Sequence, residues 1–563
     1  MKRVQSTLSV AMWLLVSVMI CGSAAVFTSC GENTLEEILG AIDNPSGSTV
    51  AVTGITLNKA SLRLYMNNTE TMPGSVLLTA AVYPDNATDQ SVTWSSSDES
   101  KATVDETGKV TAVAKGTLTI TAKAGDQQAT CEITIGRGVD LSTVTTDSEF
   151  EDYDELTGTL GTKVKISIAD GATVTLRDVD LNGYGALDWA NYAGITCIGD
   201  ATIILKGTNS VRGFGSYHPG IFIPSGKTLT IQGADTDKLT AAPKDVNDGD
   251  CKGAGIGGGY DMSCGNIVIE GGDITAKGGN FAAGIGGGGL GHCGSITISG
   301  GKVNARGGNC GAGIGCSRRG NCGDITISGG TVEAYGGYEG AGIGGAFNDG
   351  FACQCGNIII RGDNTKVTAV GGSGSAGIGS GSINGSTSSC GTITIYGGTV
   401  EATGGTEGAG IGSGRGGECG KITISGGVVK ASSARNGAGI GCGLIGVCGD
   451  IEISGDNTKV TAVGGSGGAG IGSGQSEYLK DSRCGHITIL GGTVDAKGGE
   501  QSAGIGTGYA SGATSSCGNI NITSGVTSVT ATKGSDDVKS IGQGLSGDCG
   551  TVTIEDEEKV TQN

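Results

Sequence analysis

The sequence predicts an all-β protein in which a small β-sandwich precedes a right-handed parallel β-helix, a solenoid of stacked coils. Three observations predict this fold class. Short strand-like runs separated by turn residues fill residues 51–136. A glycine-rich repeat then continues to the C-terminus. Each copy alternates apolar and polar residues over four or five positions, which suits short strands and cannot form a helical stripe.

A Cys-Gly pair marks the register of the repeat. Its plainest copy, residues 293–315, reads CGSITISGGKVNARGGNCGAGIG. A fixed period with local insertions is typical of a solenoid, in which each unit buries its apolar face against its neighbours. The successive marker cysteines differ by 29 to 36 positions, and they are Cys264, Cys293, Cys322, Cys355, Cys390, Cys419, Cys448, Cys484, Cys517 and Cys549.

Each copy supplies three short sides. The ITIS run puts two isoleucines on one face, the KVNA run puts Val303 and Ala305 on the next, and Ile314 stands between glycines on the third. The pairs Gly300-Gly301 and Gly307-Gly308 are predicted corners where φ is positive. Stacking such coils places identical residues on one another. Parallel connections are right-handed by strong preference, which gives the predicted hand.

Composition excludes some functions. The net charge is −19, and no basic run follows the first residues. Nucleic acid is therefore not an expected partner, because its binding needs clustered Lys and Arg. His218, His292 and His486 have no metal ligand at a standard spacing, so no histidine-based zinc site is predicted.

Residues 1–30 have the pattern of an export signal, with Lys2 and Arg3 before an apolar run. The run ends in FTSC, which resembles the lipobox of Bacteroidetes-type surface lipoproteins. The resemblance implies that Cys30 is lipidated and that the protein is exported and anchored to the outer membrane at the cell surface. Membrane contact would be through the lipid only. Residues 31–50, acidic and then rich in Pro, Gly and Ser, would be a flexible tether.

Two alternatives to lipidation at Cys30 stay open. An ordinary cleaved signal would leave that cysteine incidental. Cys21 follows the bulky Ile20, which makes it the weaker candidate for lipidation.

Residues 51–136 form the predicted sandwich, and Trp94 sits where such a core needs a large aromatic residue. The string VTWSSSDESKATVDETGKVTAVAKGTLTITAKAG strongly resembles bacterial Ig-like domains of group 2. The resemblance implies a spacer or adhesive module without catalytic residues. Cys131 has no partner cysteine in the segment, so we expect it to be buried as a small apolar residue.

Residues 137–250 are predicted to be a cap and irregular first coils, and residues 251–563 the regular repeats. Terminal units of a solenoid are usually atypical. The first coils are richer in aromatic residues than the rest, and these are Trp189, Tyr192, Phe214 and Tyr217.

The glycine-rich region resembles bacterial carbohydrate-binding β-helix proteins. The resemblance covers residues 141–563 and rests on AGITCIGDATIILKG and the repeat CGxITIxGGxVxAxGG. It implies binding of acidic or plant cell-wall polysaccharides and, in such proteins, calcium. No cofactor is otherwise predicted, and no ligand residue can be transferred from that group.

The cysteine column has three interpretations: a ladder of free thiols, a set of disulfides, or a metal-binding site. We predict an inward-facing and mostly reduced ladder, because buried cysteine packs as a small apolar residue. Cys310 with Cys316, and Cys353 with Cys355, depart from the column and are the better disulfide candidates.

Insertions predict where a ligand would bind. The segment from the AGIG motif to the next Cys spans 7 positions from Gly286 to Cys293 and 11 or 12 in four other coils. Stacking would line these loops along one edge, and insertions at a single variable position usually build the functional face. We predict binding by loop residues Phe347, Asp349, Phe351, Tyr478, Lys480, Asp481 and Arg483, or alternatively by Trp189 and Tyr217 of the first coils.

Three functions remain open. The first is a surface lipoprotein whose β-helix binds a polysaccharide or host glycan for adhesion or glycan capture. The second is a polysaccharide lyase or hydrolase on the same scaffold, although the outward acids Glu333, Glu401 and Asp495 recur at one repeat position as a solvated face would. The third is a structural stalk. We predict a binding protein and no catalytic residues.

Overall fold

The computed structural model describes residues 49–181, 192–244, 251–347, 350, 353–383 and 388–563. Two compact units are distinguished. The described residues of the first are 49–56, Ala80–Thr93 and Ala122–Ala129, and the second comprises Leu57–Thr79, Trp94–Thr121 and Thr130–Asn563. No helix in the described ranges is both long and apolar enough to span a membrane.

The N-terminal strands form small sheets. Gly54–Leu57 pairs with Ala80–Tyr83. A four-stranded sheet has the order Ser61–Tyr65, Gln127–Gly136, Gly116–Ala124 and Thr93–Ser96, and a three-stranded sheet has the order Ser75–Leu77, Lys109–Ala112 and Ala102–Val104.

An apolar core lies within the part of this region that belongs to the second unit. Leu64, Leu78, Ile120 and Cys131 are fully buried in it, and the half-buried Trp94 packs against it. The expected burial of Cys131 is therefore confirmed, and that burial raises the pKa of its thiol.

The rest of the second unit is a parallel β-helix of about 12 turns. Each regular coil contributes strands to three ladders, and the later coils also to a fourth, and we name the ladders by their residues. The isoleucine ladder consists of Ala172–Leu181, Ala201–Lys206, Thr228–Gln232, Asn266–Ile269, Ile296–Ile298, Ile325–Ile327, Ile358–Ile360, Ile393–Ile395, Ile422–Ile424, Ile451–Ile453, Ile487–Ile489, Ile520–Ile522 and Val552–Ile554.

The other ladders follow in each coil. The valine-alanine ladder consists of Thr208–Arg212, Lys238–Ala242, Asp273–Lys277, Lys302–Arg306, Thr331–Tyr335, Lys366–Val370, Thr399–Gly404, Val428–Ser433, Lys459–Val463, Gly492–Lys497, Val526–Thr532 and Val560–Gln562. The isoleucine-glycine ladder consists of Ser148–Phe150, Ile166–Ile168, Ile195–Cys197, Ile221–Phe222, Ile256–Gly257, Ile285–Gly286, Ile314–Gly315, Ile343–Gly344, Ile378–Gly379, Ile411–Gly412, Ile440–Gly441, Ile471–Gly472, Ile505–Gly506 and Ile541–Gly542.

The cysteine ladder is shorter. Its strands are Cys353–Cys355, Ser388–Cys390, Glu418–Cys419, Val447–Cys448, Ser482–Cys484, Ser515–Cys517 and Asp548–Cys549. Four minor strands are Gly138–Asp140, Glu155–Thr159, Ser476–Glu477 and Ala510–Ser511, and single 3-10 turns lie at Leu141–Thr143 and Glu557–Lys559.

Identical residues stack from coil to coil, as predicted. Ile296 pairs with Ile325, Val303 with Val332 and Ile314 with Ile343 in parallel register. The stacked isoleucines, valines and alanines are almost entirely buried and form one continuous core. The sandwich and the parallel β-helix of the predicted fold class are thus both present.

The glycine corners differ from the prediction in part. Gly301 has a φ of 79°, as expected at the bend between the isoleucine and valine-alanine ladders. Gly300, Gly307 and Gly308 are outside the positive-φ set, so the expectation of positive φ is wrong at Gly300 and at both glycines of the second pair. A Cβ atom on Gly308 would lie 1.7 Å from the Gly279 carbonyl oxygen. Close contact between coils excludes a side chain there.

The glycines of the isoleucine-glycine ladder are the most constrained. All ten have φ between 122° and 138°, a region that residues with a Cβ rarely adopt. A Cβ on Gly412 would lie 1.9 Å from the Gly441 carbonyl oxygen of the next coil. Both the conformation and the coil spacing therefore require glycine at this position.

Asp154 and Glu155 are buried at the start of the β-helix. Glu155 accepts a hydrogen bond from the Tyr65 hydroxyl at 2.7 Å and pairs with Arg177 at 2.7 Å and Arg63 at 3.3 Å. Burial, with the hydrogen bond to Glu155, raises the pKa of Tyr65 to about 12. These contacts join residues of the second unit and satisfy a carboxylate that burial would otherwise penalise.

The marker cysteines face the core. Nine of the ten are buried, Cys549 is half-buried, and none forms a disulfide. The disulfide expectation also disagrees with the structure, since Cys316, Cys353 and Cys355 carry free thiols. Cys353 and Cys355 lie two positions apart on one strand, so their Cβ atoms point to the same face about 6.6 Å apart, which is too far for a disulfide.

We predict that Gly412→Ala destabilises the β-helix by roughly 3 kcal/mol or more, because it adds left-handed strain to a backbone clash. Thermal unfolding followed by circular dichroism measures the effect. Gly161→Ala is the control, since a Cβ at Gly161 has no atom within 4 Å. Equal midpoints for the two variants would contradict the assigned coil spacing.

We also predict that thiol reagents label the folded protein slowly, because the marker cysteines are buried. Denaturant without reductant should expose most of these thiols to rapid labelling, counted by mass spectrometry. Finding the column fully bridged under those conditions would refute the reduced ladder.

Candidate functional site

One edge of the β-helix is built from two parts of every coil. The first is the corner before the isoleucine-glycine strand, and the second is the loop that leaves this strand for the cysteine ladder. The two parts join by backbone hydrogen bonds, from Tyr260 N to Tyr217 O at 2.7 Å and from Gln475 N to Asn436 O at 2.9 Å. We call this surface the loop edge. The described residues of the predicted insertions lie on it.

The first coils place an aromatic and cationic cluster on the loop edge. The rings of Tyr217 and Tyr260 have centroids 5.2 Å apart. Lys252 Nζ lies 5.2 Å from the Tyr217 ring, 4.9 Å from Tyr260 and 5.8 Å from Phe281. The Arg318 guanidinium lies 4.5 Å from the Phe281 ring. Cations at these distances are attracted to the ring faces and hold the cluster together.

Tyr217 is a residue of the alternative sequence prediction, and it is 46% exposed. Trp189 lies outside the described residues. Lys252 and Phe281 were missed because they lie in corners before the isoleucine-glycine strand, and Tyr260 and Arg318 because their loops have the basic length. Spacing in the sequence could have identified two of them. Tyr260 and Arg318 each lie four positions after the isoleucine, and three after the glycine, of an Ile-Gly pair.

A second part of the loop edge is a small hairpin. Ser476–Glu477 pairs in parallel with Ala510–Ser511 of the next coil, so insertions of adjacent coils stack on each other. Glu477 and Lys480 exchange backbone hydrogen bonds of 3.2 and 3.1 Å across a tight turn. Tyr478 at its tip has a φ of 57° and is 78% exposed.

Asp481 and Arg483 support this hairpin. Asp481 accepts a hydrogen bond of 2.9 Å from Thr514 N and forms a 2.5 Å ion pair with Arg483. The Thr514 N–H and then Arg483 lower the pKa of Asp481. Of the predicted binding residues here, these two fix the loop, while Tyr478 and the exposed Lys480 are available to a ligand.

The remaining predicted binding residues, in the loop after Gly344, have different outcomes. Phe347 is half-buried, and its N–H donates to Cys310 O at 3.3 Å, which places it on the loop edge. Asp349 and Phe351 lie outside the described residues. Tyr338, which was not predicted, occupies a corner of the same edge and is 64% exposed. The first-coil cluster and the insertion loops thus belong to one surface, although they were predicted as alternatives.

The outward carboxylates form no comparable group. Glu333, Glu401 and Asp495 lie in register on the valine-alanine ladder, but Thr368, Lys430 and Thr461 separate them. Glu333 accepts a hydrogen bond of 2.8 Å from Asn304.

In the described ranges, Cys442, Cys448 and Cys484 are the only group of three or more potential metal ligands that converge. That group contains no carboxylate of the kind calcium prefers.

Comparison with known families agrees with this architecture. Residues 51–135 match the bacterial Ig-like domain (group 2). Six segments match the beta helix repeat, and these are residues 267–289, 296–318, 325–347, 393–415, 422–444 and 487–509. The predicted combination of an Ig-like domain and a β-helix is confirmed.

Similar curated proteins share only a short region. An uncharacterized protein of Clostridium acetobutylicum is 46% identical over 91 residues, covering 16% of this chain and 9% of that protein. The lacto-N-biosidase of Bifidobacterium bifidum is 41% identical over 107 residues, 19% of this chain and 8% of the enzyme. A 3-O-alpha-D-galactosyl-alpha-L-arabinofuranosidase of Bifidobacterium longum is 42% identical over 99 residues, 17% and 8% respectively.

The chain therefore spans less than a tenth of the length of these relatives. The two glycosidases match it over the Ig-like region only.

Proposed function

We propose that the protein is a lipid-anchored surface protein whose β-helix binds a polysaccharide or host glycan along the loop edge, for adhesion or glycan capture. The observation that carries the proposal is the row of exposed aromatic side chains on this edge, with Lys252 beside Tyr217. Tyr217, Tyr338 and Tyr478 are 46%, 64% and 78% exposed. The Ig-like domain would act as a spacer.

Exposed aromatic rings beside cations suit a sugar ligand. A ring face can cover the apolar C–H face of a pyranose, while neighbouring polar groups bond its hydroxyls. Lys252 adds positive charge within a chain whose net charge is −19. This charge favours an acidic polysaccharide, whose carboxylates would pair with the Lys252 ammonium.

The spacing of the edge suits an extended ligand. Backbone hydrogen bonds connect the successive corners, from Lys252 N to Ser216 O, Asn280 N to Cys251 O, Cys310 N to Asn280 O and Glu339 N to Asn309 O. Tyr338 is therefore four coils from Tyr217. At about 4.8 Å for each coil, that separation is roughly 19 Å, long enough for several sugar units.

We predict that the triple variant Tyr217→Ala, Tyr338→Ala and Tyr478→Ala binds a glycan at least about tenfold more weakly than the parent chain. A tenfold loss corresponds to about 1.4 kcal/mol, within reach of three ring contacts. A glycan array with acidic and plant cell-wall polysaccharides identifies the ligand, and titration of that ligand measures affinity. Tyr396→Ala is the matched control, because Tyr396 is 58% exposed at the corner between the isoleucine and valine-alanine ladders.

Two outcomes would overturn this assignment. Full binding by the triple variant would place the site elsewhere, and absence of binding by the parent chain would favour the structural stalk. Incubation of each bound polysaccharide with the protein, followed by analysis of chain length, tests for the alternative lyase or hydrolase activity.

We predict that Cys30→Ala moves the protein from the detergent phase to the aqueous phase of a detergent partition, because it removes the acyl-carrying thiol. Cys21→Ala is the control and should leave partitioning unchanged. Detergent partitioning that persists in the Cys30 variant would argue against the anchor at this residue.

A further inference from the structure

Two coils carry an additional cysteine directly after the isoleucine-glycine strand. Cys442 follows Ile440–Gly441, and Cys316 follows Ile314–Gly315. Each precedes the marker cysteine of its own coil by six positions, Cys448 and Cys322 respectively.

Cys442 completes a compact group of sulfur atoms. Its Sγ and those of Cys448 and Cys484 all lie within 4.8 Å of one another. The three residues are 0%, 3% and 7% exposed. Cys448 and Cys484 belong to adjacent coils and pair in parallel register, while Cys442 approaches from the side of the column.

The group differs from an ordinary stack in the column. In an ordinary stretch of the column a sulfur stacks between two others, as Cys419 does between Cys390, with 3.7 Å between Sγ atoms, and Cys448. The third sulfur lies beside the column, so the three sulfur atoms form a triangle and not a line. Around Cys316 the same position meets Cys322, Cys353 and Cys355, which shows that the placement recurs with the same spacing.

In neighbouring coils that lack a third sulfur, serine occupies the repeat position of Cys442. Ser380, Ser413 and Ser473 occupy it, and their hydroxyl oxygens accept backbone N–H hydrogen bonds from Gly414, Gly443 and Gly508 at 2.9, 3.0 and 3.2 Å. Serine therefore fits the fold at this position, and packing alone does not require cysteine.

We propose that Cys442, Cys448 and Cys484 form a closed binding site for a thiophilic d10 metal ion, with zinc as the divalent representative of that class. Soft thiolate ligands select such ions over calcium or magnesium. Zinc–sulfur bonds of about 2.3 Å in tetrahedral geometry place sulfur atoms about 3.8 Å apart. The observed separations reach this value with movements of about 1 Å or less.

Binding is a proton exchange without a redox step. Each thiol gives its proton to solvent, and three sulfur–metal bonds form. Three free thiolates would carry three negative charges, and a bound divalent ion would reduce the net charge to minus one. Because burial penalises uncompensated charge, it favours the metal-bound site over three free thiolates.

The experiment measures metal content of the full chain. The parent, Cys442→Ser and Cys264→Ser are produced in zinc-supplemented medium, purified without chelator, and analysed for bound metal per chain. Because the site is buried, the metal must enter during folding. Cys264 is the control, as a marker cysteine that is 2% exposed and belongs to no three-sulfur group among the described residues.

The expected result is that Cys442→Ser carries one equivalent less zinc than the parent, while Cys264→Ser carries as much as the parent. Production in cobalt-supplemented medium should add a thiolate-to-cobalt absorption band that the Cys442 variant loses in part or whole. Circular dichroism confirms that both variants fold.

The proposal is wrong if the parent and Cys442→Ser hold equal amounts of metal, or if neither holds any. It is also wrong if peptide mapping of the unreduced parent finds Cys442 in a disulfide. Because the comparison counts a difference of one equivalent, metal bound around Cys316 does not alter its interpretation. Loss of glycan binding would not bear on it, since the two sites are separate.

Discussion

The structure depends on the close approach of successive isoleucine-glycine strands. Each glycine of this ladder has a φ that disfavours any side chain, and a Cβ there would in most coils lie about 2 Å from the carbonyl oxygen of the next coil. The coil-to-coil distance is thereby fixed on one side of the core, and the other ladders must stack with the same spacing. This explains why glycine recurs at this position in every regular coil.

Fixed spacing has a consequence for the interior. Residues at one repeat position stack directly, so isoleucine contacts isoleucine and cysteine contacts cysteine. A different residue at a single repeat position therefore creates a local group without disturbing the coil, as where Cys442 occupies the position that holds Ser413 in the preceding coil.

The exterior follows the same logic. The scaffold ladders tolerate few changes, whereas the loop after the isoleucine-glycine strand varies in length and composition. Loops of adjacent coils hydrogen-bond to each other and to the preceding corners, so the variable residues collect on one edge. The exposed tyrosines and the lysine of this edge are therefore held by a rigid framework, which would lower the entropy cost of the proposed binding to an extended ligand.

The sequence by itself determined the fold class, the coil register, the inward cysteine column and the common location of the insertions, because strict repetition makes each coil evidence for the others. It did not determine which glycines need positive φ, since Gly307-Gly308 and Gly300-Gly301 look alike in sequence but meet different neighbours. Nor did it bring Tyr217, Lys252 and Phe281 together, or Cys442 beside Cys484. Those contacts join residues about 30 or more positions apart, and only the stacking of coils decides which of them meet.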